Sequence, residues 1–268
     1  MSSISDGFAR LRSEGRKGLI PFITAGHPDL ETTEELLRAL ARGGADLIEL
    51  GVPFSDPIAD GPVIQRASEH ARQNRISVSD VLELVRNARR EISVPLVIFS
   101  YLNPLLQFGV SRFALEAAHA GVDGVLVTDL PLEEADEFSA ELSAKALDLI
   151  FLVAPTSSDE RLRLIADKAS GFIYAVSRTG VTGAAELSGE AEKLVARVRT
   201  VTDLPVAVGF GISTAAQVAE VWRYADAAVV GSAIVAEIQR NEGRPDLVQR
   251  VEEFVHSLAA RKIQVSSV

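Results

Sequence analysis

The chain has 268 residues, a net charge of −10, 47% hydrophobic and 24% charged residues, and no cysteine. The apolar content is sufficient for a large core, and the negative charge argues against nucleic acid as a partner. The absence of cysteine excludes disulfides and thiolate chemistry and fits a cytoplasmic protein. The N-terminal segment has no secretory signal, and no apolar run is long enough to span a bilayer. We therefore expect a globular cytoplasmic protein in which any anionic ligand needs a local binding site.

Short apolar runs alternate with amphipathic segments along the whole chain. The runs are nearly continuous in apolar residues, which is typical of parallel strands that are buried on both faces. Helical patterns with polar caps and terminal glycines lie between them, in the rhythm of βαβ units. The sequence predicts eight strands, over residues 18–24, 45–51, 94–101, 122–129, 147–155, 171–177, 204–211 and 225–232.

Eight strands that alternate with helices indicate an α/β fold, a (β/α)₈ (TIM) barrel. An extra helix is expected before the first strand, and an additional helix after the second, within 52–93. No linker or low-complexity stretch divides the chain, so we predict one barrel domain over 1–268. A doubly wound open sheet alternates in the same way, and the count of eight strands favours the barrel. In a barrel the active site lies at the C-terminal ends of the strands.

Two carboxylates are prominent in the stretch LIELGVPFSDPIADGP, residues 47–62. Glu49 lies in a predicted buried strand, where desolvation raises the pKa of a carboxyl towards the range of a general acid or base. Asp60 lies in the loop that follows. A structural glutamate and ordinary turn chemistry at Asp56 and Asp60 are the alternative interpretations. The barrel position, together with a second carboxylate in the same loop, favours a catalytic pair.

Other chemistries find little support in the residue types. None of the five lysines ends a predicted strand, which argues against a Schiff-base aldolase. Three of the four histidines fall in helical patterns, and His27 is interpreted as a turn residue. No set of histidine, cysteine and aspartate has metal-ligand spacing. We therefore expect carboxylate acid–base chemistry, with neither a metal nor a covalent cofactor.

Three glycine-rich loops follow the last three predicted strands. They read SRTGVTG (177–183), GFGIST (209–214) and GSAIV (231–235). The second and third lead into helices, and helix N-termini bind anions, so they predict a phosphate site, although simple turn glycines are the alternative. The first predicts a mobile lid over 178–190, with no strong helix before about Glu190. Within this lid, Arg178 and Thr182 are candidates for closing over a ligand. The alternative for Arg178 is a solvated surface residue, which is the usual case for arginine.

The stretch LIELGVPFSDPIADGPVIQRA closely resembles the signature of the tryptophan synthase alpha subunit family. The motifs PFITAGHPD, VLVTDLPLEE, SRTGVTG, GFGIST and GSAIV are similar to the same family in the same order, over about residues 15–240. The resemblance implies a lyase of tryptophan biosynthesis that cleaves indole-3-glycerol phosphate to indole and glyceraldehyde 3-phosphate. It also implies a beta-subunit partner in an alpha2beta2 heterotetramer, with no cofactor in this chain and pyridoxal phosphate (PLP) only in the partner.

The resemblance also implies roles for individual residues. Glu49 corresponds to the catalytic acid–base, and Asp60 to the second carboxylate, which accepts a hydrogen bond from the ring N–H. The remaining positions are phosphate contacts at Gly183, Gly211, Gly231 and Ser232, a lid residue Thr182 that meets Asp60 on closure, pocket walls at Phe22, Tyr101, Leu126, Tyr174 and Phe210, and beta-subunit contacts at Pro53 and Asp56. Barrel core is the alternative for the wall residues.

Two departures from the family pattern concern the lid and the pocket. The stretch AAELSGEAEK lacks an expected run with arginine and proline, and FSYLNP is a less usual form near the third strand. Two further functions stay open beside the subunit role. One is a stand-alone lyase that releases free indole, and the other is a non-catalytic, phosphate-binding activator of a beta subunit.

Overall fold

The computed structural model describes residues 2–176 and 184–259. Eight parallel strands pair in chain order, and the eighth pairs with the first to close a barrel. The strands are β1 (Gly18–Thr24), β2 (Ile48–Gly51), β3 (Leu96–Ser100), β4 (Gly124–Val127), β5 (Asp148–Val153), β6 (Ile173–Val176), β7 (Val206–Gly209) and β8 (Ala227–Val230). The predicted barrel and all eight predicted strands are confirmed.

Helices surround the barrel in the described part of the chain. They are α1 (Ser3–Ser13), α2 (Leu30–Arg42), α3 (Pro62–Gln73), α4 (Val78–Ala88), α5 (Leu102–Phe108), α6 (Val110–Ala120), α7 (Ala135–Ser143), α8 (Asp159–Lys168), α9 (Ala184–Val198), α10 (Ala215–Val221), α11 (Ser232–Asn241) and α12 (Leu247–Ala259), with a short 3₁₀ helix at Leu132–Glu134. No helix among these combines the length and the hydropathy that crossing a membrane requires.

Alternate residues of each strand face the barrel interior and the surrounding helices, which explains the nearly continuous apolar runs. Glu49 of β2 is in register with Phe22 of β1 and with Val97 of β3. A tightly packed inner cluster fills the barrel and includes Ile20, Leu47, Val97, Leu126, Ile150, Tyr174 and Val229. The interior is therefore a solid core, on top of which the strand ends can carry a site.

The predicted helix before β1 closes the floor of the barrel. Helix α1 places Ile4, Phe8 and Leu11 in the inner cluster, and the ring of Phe8 lies 5.8 Å from that of Phe172. A side chain at Gly124 would come within 2.8 Å of Ile4, so the glycine gives α1 its place at the floor.

The additional helix predicted within 52–93 is confirmed, because this segment contains two helices, α3 and α4. Helix α4 begins with a capping box, in which Ser77 and Asp80 exchange side-chain-to-backbone hydrogen bonds. The prediction of no strong helix before Glu190 is wrong, because α9 begins at Ala184. Alanine, glutamate and leucine are good helix formers, and α9 continues through Gly189 despite its cost of about 1 kcal/mol relative to alanine.

Candidate active site

A cavity of about 380 Å³ opens at the C-terminal ends of the strands, where the fold predicts the site. Its volume is in the range of small-molecule pockets. It brings together most of the predicted site residues, namely Phe22, Glu49, Asp60, Tyr174, Phe210, Gly211, Gly231 and Ser232. Segments far apart in the sequence thus meet around one space.

Glu49 lies in β2 at the bottom of this cavity and is only 1% exposed. Its Oε1 atom is buried and has no hydrogen-bond partner among the described residues. Burial raises the pKa of Glu49 to about 8. A glutamate that served the fold would be expected to have its oxygens satisfied. The geometry therefore favours a group that is neutral at pH 7 and can deliver a proton into the cavity.

Asp60 reaches the same cavity from the loop between β2 and α3. The Tyr101 hydroxyl donates a hydrogen bond to Asp60 Oδ2 at 3.2 Å, and the backbone N–H of Ala59 donates to that hydroxyl at 2.9 Å. Burial raises the pKa of Asp60 to about 6, although the hydrogen bond from Tyr101 opposes the rise. At pH 7 Asp60 is mostly ionised, so the two carboxyl groups differ in charge.

Tyr101 does not line the cavity but holds the Asp60 loop in place. Its ring stacks on Phe54 with 4.9 Å between the centroids. Burial, and next the charge of Asp60, raise the pKa of Tyr101, so its hydroxyl remains a donor. Ser68 on α3 fixes the same loop, because its hydroxyl accepts from the Phe54 N–H and donates to the Phe54 carbonyl.

Aromatic rings form the apolar walls of the cavity. Phe22 and Phe99 meet edge to face at 5.2 Å, and the buried Tyr174 lies on β6. Burial raises the pKa of Tyr174 well above its usual range, with Glu49 as the next cause, so its hydroxyl stays neutral. Phe210 is 42% exposed at the mouth. Such walls suit a flat aromatic ligand.

Two strand-end glycines make room for these rings. A side chain at Gly51 would come within 2.6 Å of the Phe22 ring, and one at Gly209 within 2.1 Å of the Tyr174 hydroxyl. Backbone contacts this close require glycine. The ring positions are therefore set by the strands on either side.

Gly211, Gly231 and Ser232 also line the cavity. Helix α11 begins at Ser232, and its N-cap residue Gly231 makes no side-chain cap hydrogen bond. The first N–H groups of a helix lack partners within the helix and attract anions. No lysine or arginine is among the described residues that line the cavity. An anion would therefore be bound by backbone groups here.

The two predicted phosphate helices differ at their N-termini. Thr214 and Gln217 form a capping box at the start of α10, and the Gln217 side chain accepts from the N–H groups of Ser213 and Thr214 at 2.8 and 3.1 Å. Side chains cap that helix end, whereas no side chain caps the start of α11. The loop after β7 can therefore contribute through Gly211, whose φ of 73° is in the region that favours glycine.

Several predicted residues do not line the cavity. Leu126 is fully buried in the inner cluster of the barrel. Pro53 is buried and lines a separate cavity of about 490 Å³, whereas Asp56 is exposed. The predicted lid and phosphate residues Arg178, Thr182 and Gly183 lie outside the described residues.

Sequence reasoning missed other wall residues, among them Ile64, Phe99, Ile212 and Val229. Phe99 follows Val97 by two residues on β3, and Val97 is in register with Glu49. Strand alternation therefore puts Phe99 on the same inward face, and this signal was available. Ile64 projects from α3, and only the packing of that helix over the barrel brings it to the cavity.

The fold and this cavity define a class, that of (β/α)₈-barrel enzymes with a carboxyl pair in the substrate pocket. The family described as "Tryptophan synthase alpha chain" matches residues 8–263, and the chain belongs to that family. Members of the family cleave indole-3-glycerol phosphate to indole and glyceraldehyde 3-phosphate in tryptophan biosynthesis, and this chain is a lyase of that kind. The family relationship and reaction predicted from the sequence are confirmed.

Curated relatives are similar over nearly their whole length. The tryptophan synthase alpha chain of Acidiphilium cryptum is 50% identical over 267 residues, which cover 97% of each chain. That of Citrifermentans bemidjiense is 51% identical over 261 residues, 96% of this chain and 97% of the relative. Family membership implies a beta-subunit partner and no cofactor requirement of the alpha chain itself.

Solved structures agree with this relationship. Tryptophan synthase subunit alpha from Legionella pneumophila str. Paris superposes with a TM-score of 0.91 at 39% identity and covers 97% of this chain and 98% of that one. A chain of M. tuberculosis tryptophan synthase, in an aminoacrylate-bound form, gives a TM-score of 0.88 at 37% identity, with 97% and 99% covered.

Proposed function

We propose that Glu49 is the general acid–base of the lyase reaction and that Asp60 stabilises the charge that develops on the indole ring. One observation carries this proposal. The two carboxyl groups share one cavity, and their pKa values are separated to about 8 and about 6. Pairs of titratable groups whose environments separate their pKa values typically divide the acid and base roles. At pH 7 Glu49 holds a proton while Asp60 is anionic.

The reaction begins with proton transfer from Glu49 to C3 of the indole ring. The ring becomes a cationic indolenine, and ionised Asp60 accepts a hydrogen bond from its N–H, which stabilises the positive charge. Ionised Glu49 then takes the proton of the glycerol hydroxyl next to the scissile bond. As that oxygen forms the aldehyde carbonyl, the carbon–carbon bond breaks and its electron pair restores the aromatic indole. Glu49 recovers its proton, so no residue is consumed.

The remaining residues orient the substrate. We place the indole ring against Phe22, Tyr174 and Phe210, and the phosphate at Gly211 and at the α11 N-terminus formed by Gly231 and Ser232. The uncapped N-terminus of α11 and the apolar rings that line the cavity support this orientation. The roles of Leu126, Arg178, Thr182 and Gly183 stay predictions that come from the family resemblance.

We further propose an alpha2beta2 assembly in which a beta subunit carries the PLP, in the cytoplasm, with the whole of 1–268 as one barrel domain. Asp56 is exposed in the loop that carries Asp60, and Ile58 beside it is 86% exposed. An apolar side chain this exposed on an active-site loop is suited to a protein contact. Contact there would link the partner to Asp60. Pro53 is buried, so its role as a beta-subunit contact stays a prediction that comes from the family resemblance.

Indole formation from indole-3-glycerol phosphate tests these proposals. The chain is assayed alone and with a tryptophan synthase beta subunit, and the Glu49→Gln variant is assayed in parallel. A large gain on mixing supports the assembly. Equal activity with and without the partner would instead favour a stand-alone lyase, and ligand binding without turnover would favour a non-catalytic activator.

A further inference from the structure

A second cluster of chemically active side chains lies outside the substrate cavity. The cluster consists of His27, in the turn after β1, His70 on α3 and Glu242, directly after α11, and each residue offers one potential ligand atom. These atoms lie within 4.8 Å of one another. The three residues are far apart in the sequence, so no spacing motif could indicate the cluster.

The side chain of His27 is buried with one nitrogen atom unpaired among the described residues. The residue is 3% exposed, and its Nδ1 atom is buried without a partner among the described residues. A buried polar atom that is left unpaired destabilises the folded state. Burial, and next the neighbouring His70, lower the pKa of His27, so its imidazole is neutral at pH 7. Neutral imidazole is the form that binds metals.

The other two groups have the geometry of ligands rather than of a hydrogen-bonded pair. His70 Nδ1 and Glu242 Oε1 are 3.8 Å apart, which is too long for a hydrogen bond. Two ligands at zinc bond lengths are roughly 3.3–3.5 Å apart in a tetrahedral site. Both side chains are partly exposed and can close this small difference, and solvent has access to the cluster. The rings of His27 and His70 meet edge to face at 5.2 Å.

We propose that His27, His70 and Glu242 form a binding site for a divalent transition-metal ion of the zinc type. Two imidazoles and one carboxylate suit zinc, copper or nickel, whereas magnesium and calcium prefer sets of oxygen ligands. A fourth position remains for water. The ion would give the buried imidazole of His27 a polar partner, which an ion pair between His70 and Glu242 alone would not.

The position of the cluster indicates what the ion would do. Helix α3 begins directly after the Asp60 loop, and α11 begins at Ser232 of the proposed phosphate site. The two helices pack against each other, and the cluster lies at their C-terminal ends. A bound ion would join these ends to the turn after β1. Because it binds the folded state alone, it would raise the thermal unfolding midpoint.

Calorimetric titration of the untagged full-length chain, stripped with a chelator, tests the proposal. We expect one zinc ion per chain, no comparable binding of magnesium, and a higher Tm with zinc. His70→Gln and Glu242→Gln should each weaken zinc binding about 100-fold or more, since loss of outer-shell partners alone costs 10–100-fold. Cobalt, as a spectroscopic substitute, should lose its visible absorption in both variants.

The matched controls are His119→Gln on α6 and Glu83→Gln on α4, which make the same substitutions at exposed positions outside the cluster. They should bind zinc like the wild type. Circular dichroism confirms that each variant is folded, and both tested ligands are partly exposed, so folding should persist. Zinc binding that is absent, not saturable at one site, or equal in cluster and control variants would overturn the proposal. The assay measures no catalysis and is independent of the roles of Glu49 and Asp60.

Discussion

Strand β2 and the loop after it carry the same functional group in two different settings. Glu49 in the strand is 1% exposed, and its Oε1 has no hydrogen-bond partner among the described residues, whereas Asp60 in the loop accepts a hydrogen bond from Tyr101. Burial raises both pKa values, to about 8 and about 6. The difference shows how backbone position determines protonation. At pH 7 the desolvated carboxyl in the strand keeps its proton, whereas the hydrogen-bonded carboxyl in the loop is mostly ionised.

Of the substitutions at these two carboxyl groups, replacement of Glu49 in the strand should reduce the rate of indole release most. Glu49→Gln keeps the shape but has no transferable proton, so we expect indole release at saturating substrate to fall about 10³–10⁴-fold, the upper range for general acid–base catalysis. Circular dichroism verifies the fold. Turnover close to that of the wild type would remove Glu49 from the mechanism.

The same substitution should stabilise the folded chain increasingly as the pH rises from about 4.5 to 8. Below pH 4.5 Glu49 is protonated in both the folded and the unfolded state. Between about pH 4.5 and 8 it loses its proton only in the unfolded state, and this difference favours unfolding. Each unit of pKa shift corresponds to about 1.4 kcal/mol. The gain in unfolding free energy of Glu49→Gln should therefore grow across this pH window to a few kcal/mol.

Urea denaturation at several pH values measures this gain. The control is Glu83→Gln, which removes an exposed carboxyl on α4. A stability difference between Glu49→Gln and the wild type that does not change from pH 5 to pH 8 would contradict the raised pKa of Glu49.

Replacement of Asp60 in the loop should reduce the turnover rate less than replacement of Glu49. Asp60→Asn should lower kcat about 10²-fold, as for a lost electrostatic stabiliser. In the wild type, kcat/KM should rise with pH as Asp60 ionises near 6 and fall as Glu49 ionises near 8. The acidic limb should disappear in Asp60→Asn while the alkaline limb remains. An acidic limb that persists in the variant belongs to another group.

The smallest effect should come from the residue that holds the loop. Tyr101→Phe keeps the ring stacked on Phe54 but removes the hydrogen bond to Asp60. Because that hydrogen bond lowers the pKa of Asp60, its loss should raise this pKa. We expect the acidic limb of the pH profile to move to higher pH and kcat/KM at pH 7 to fall roughly tenfold or less, about one hydrogen bond. Tyr224→Phe, away from the cavity, is the control. An acidic limb that does not move would show that Tyr101 does not tune Asp60.

The barrel could be predicted because its signals are local. Nearly continuous apolar runs and capped amphipathic helices repeat eight times, and each depends on neighbours in the sequence. Predicted strands extended past the structural ones, as at 45–51 against Ile48–Gly51, since apolar turn residues look like strand. The late start assigned to α9 failed for a related reason. Glycine-rich composition before Ala184 concealed the helix formers that follow it.

The sequence by itself determined the fold, the family and the two carboxyl groups, because periodicity and contiguous motifs encode them. Only the tertiary structure decided the charge states of Glu49 and Asp60, since desolvation depends on what surrounds a group. It also decided that α10 has a side-chain cap at its N-terminus, whereas α11, which begins at the cavity, has none. The gathering of His27, His70 and Glu242 is of the same kind, because closure of the barrel and packing of α3 on α11 create that proximity.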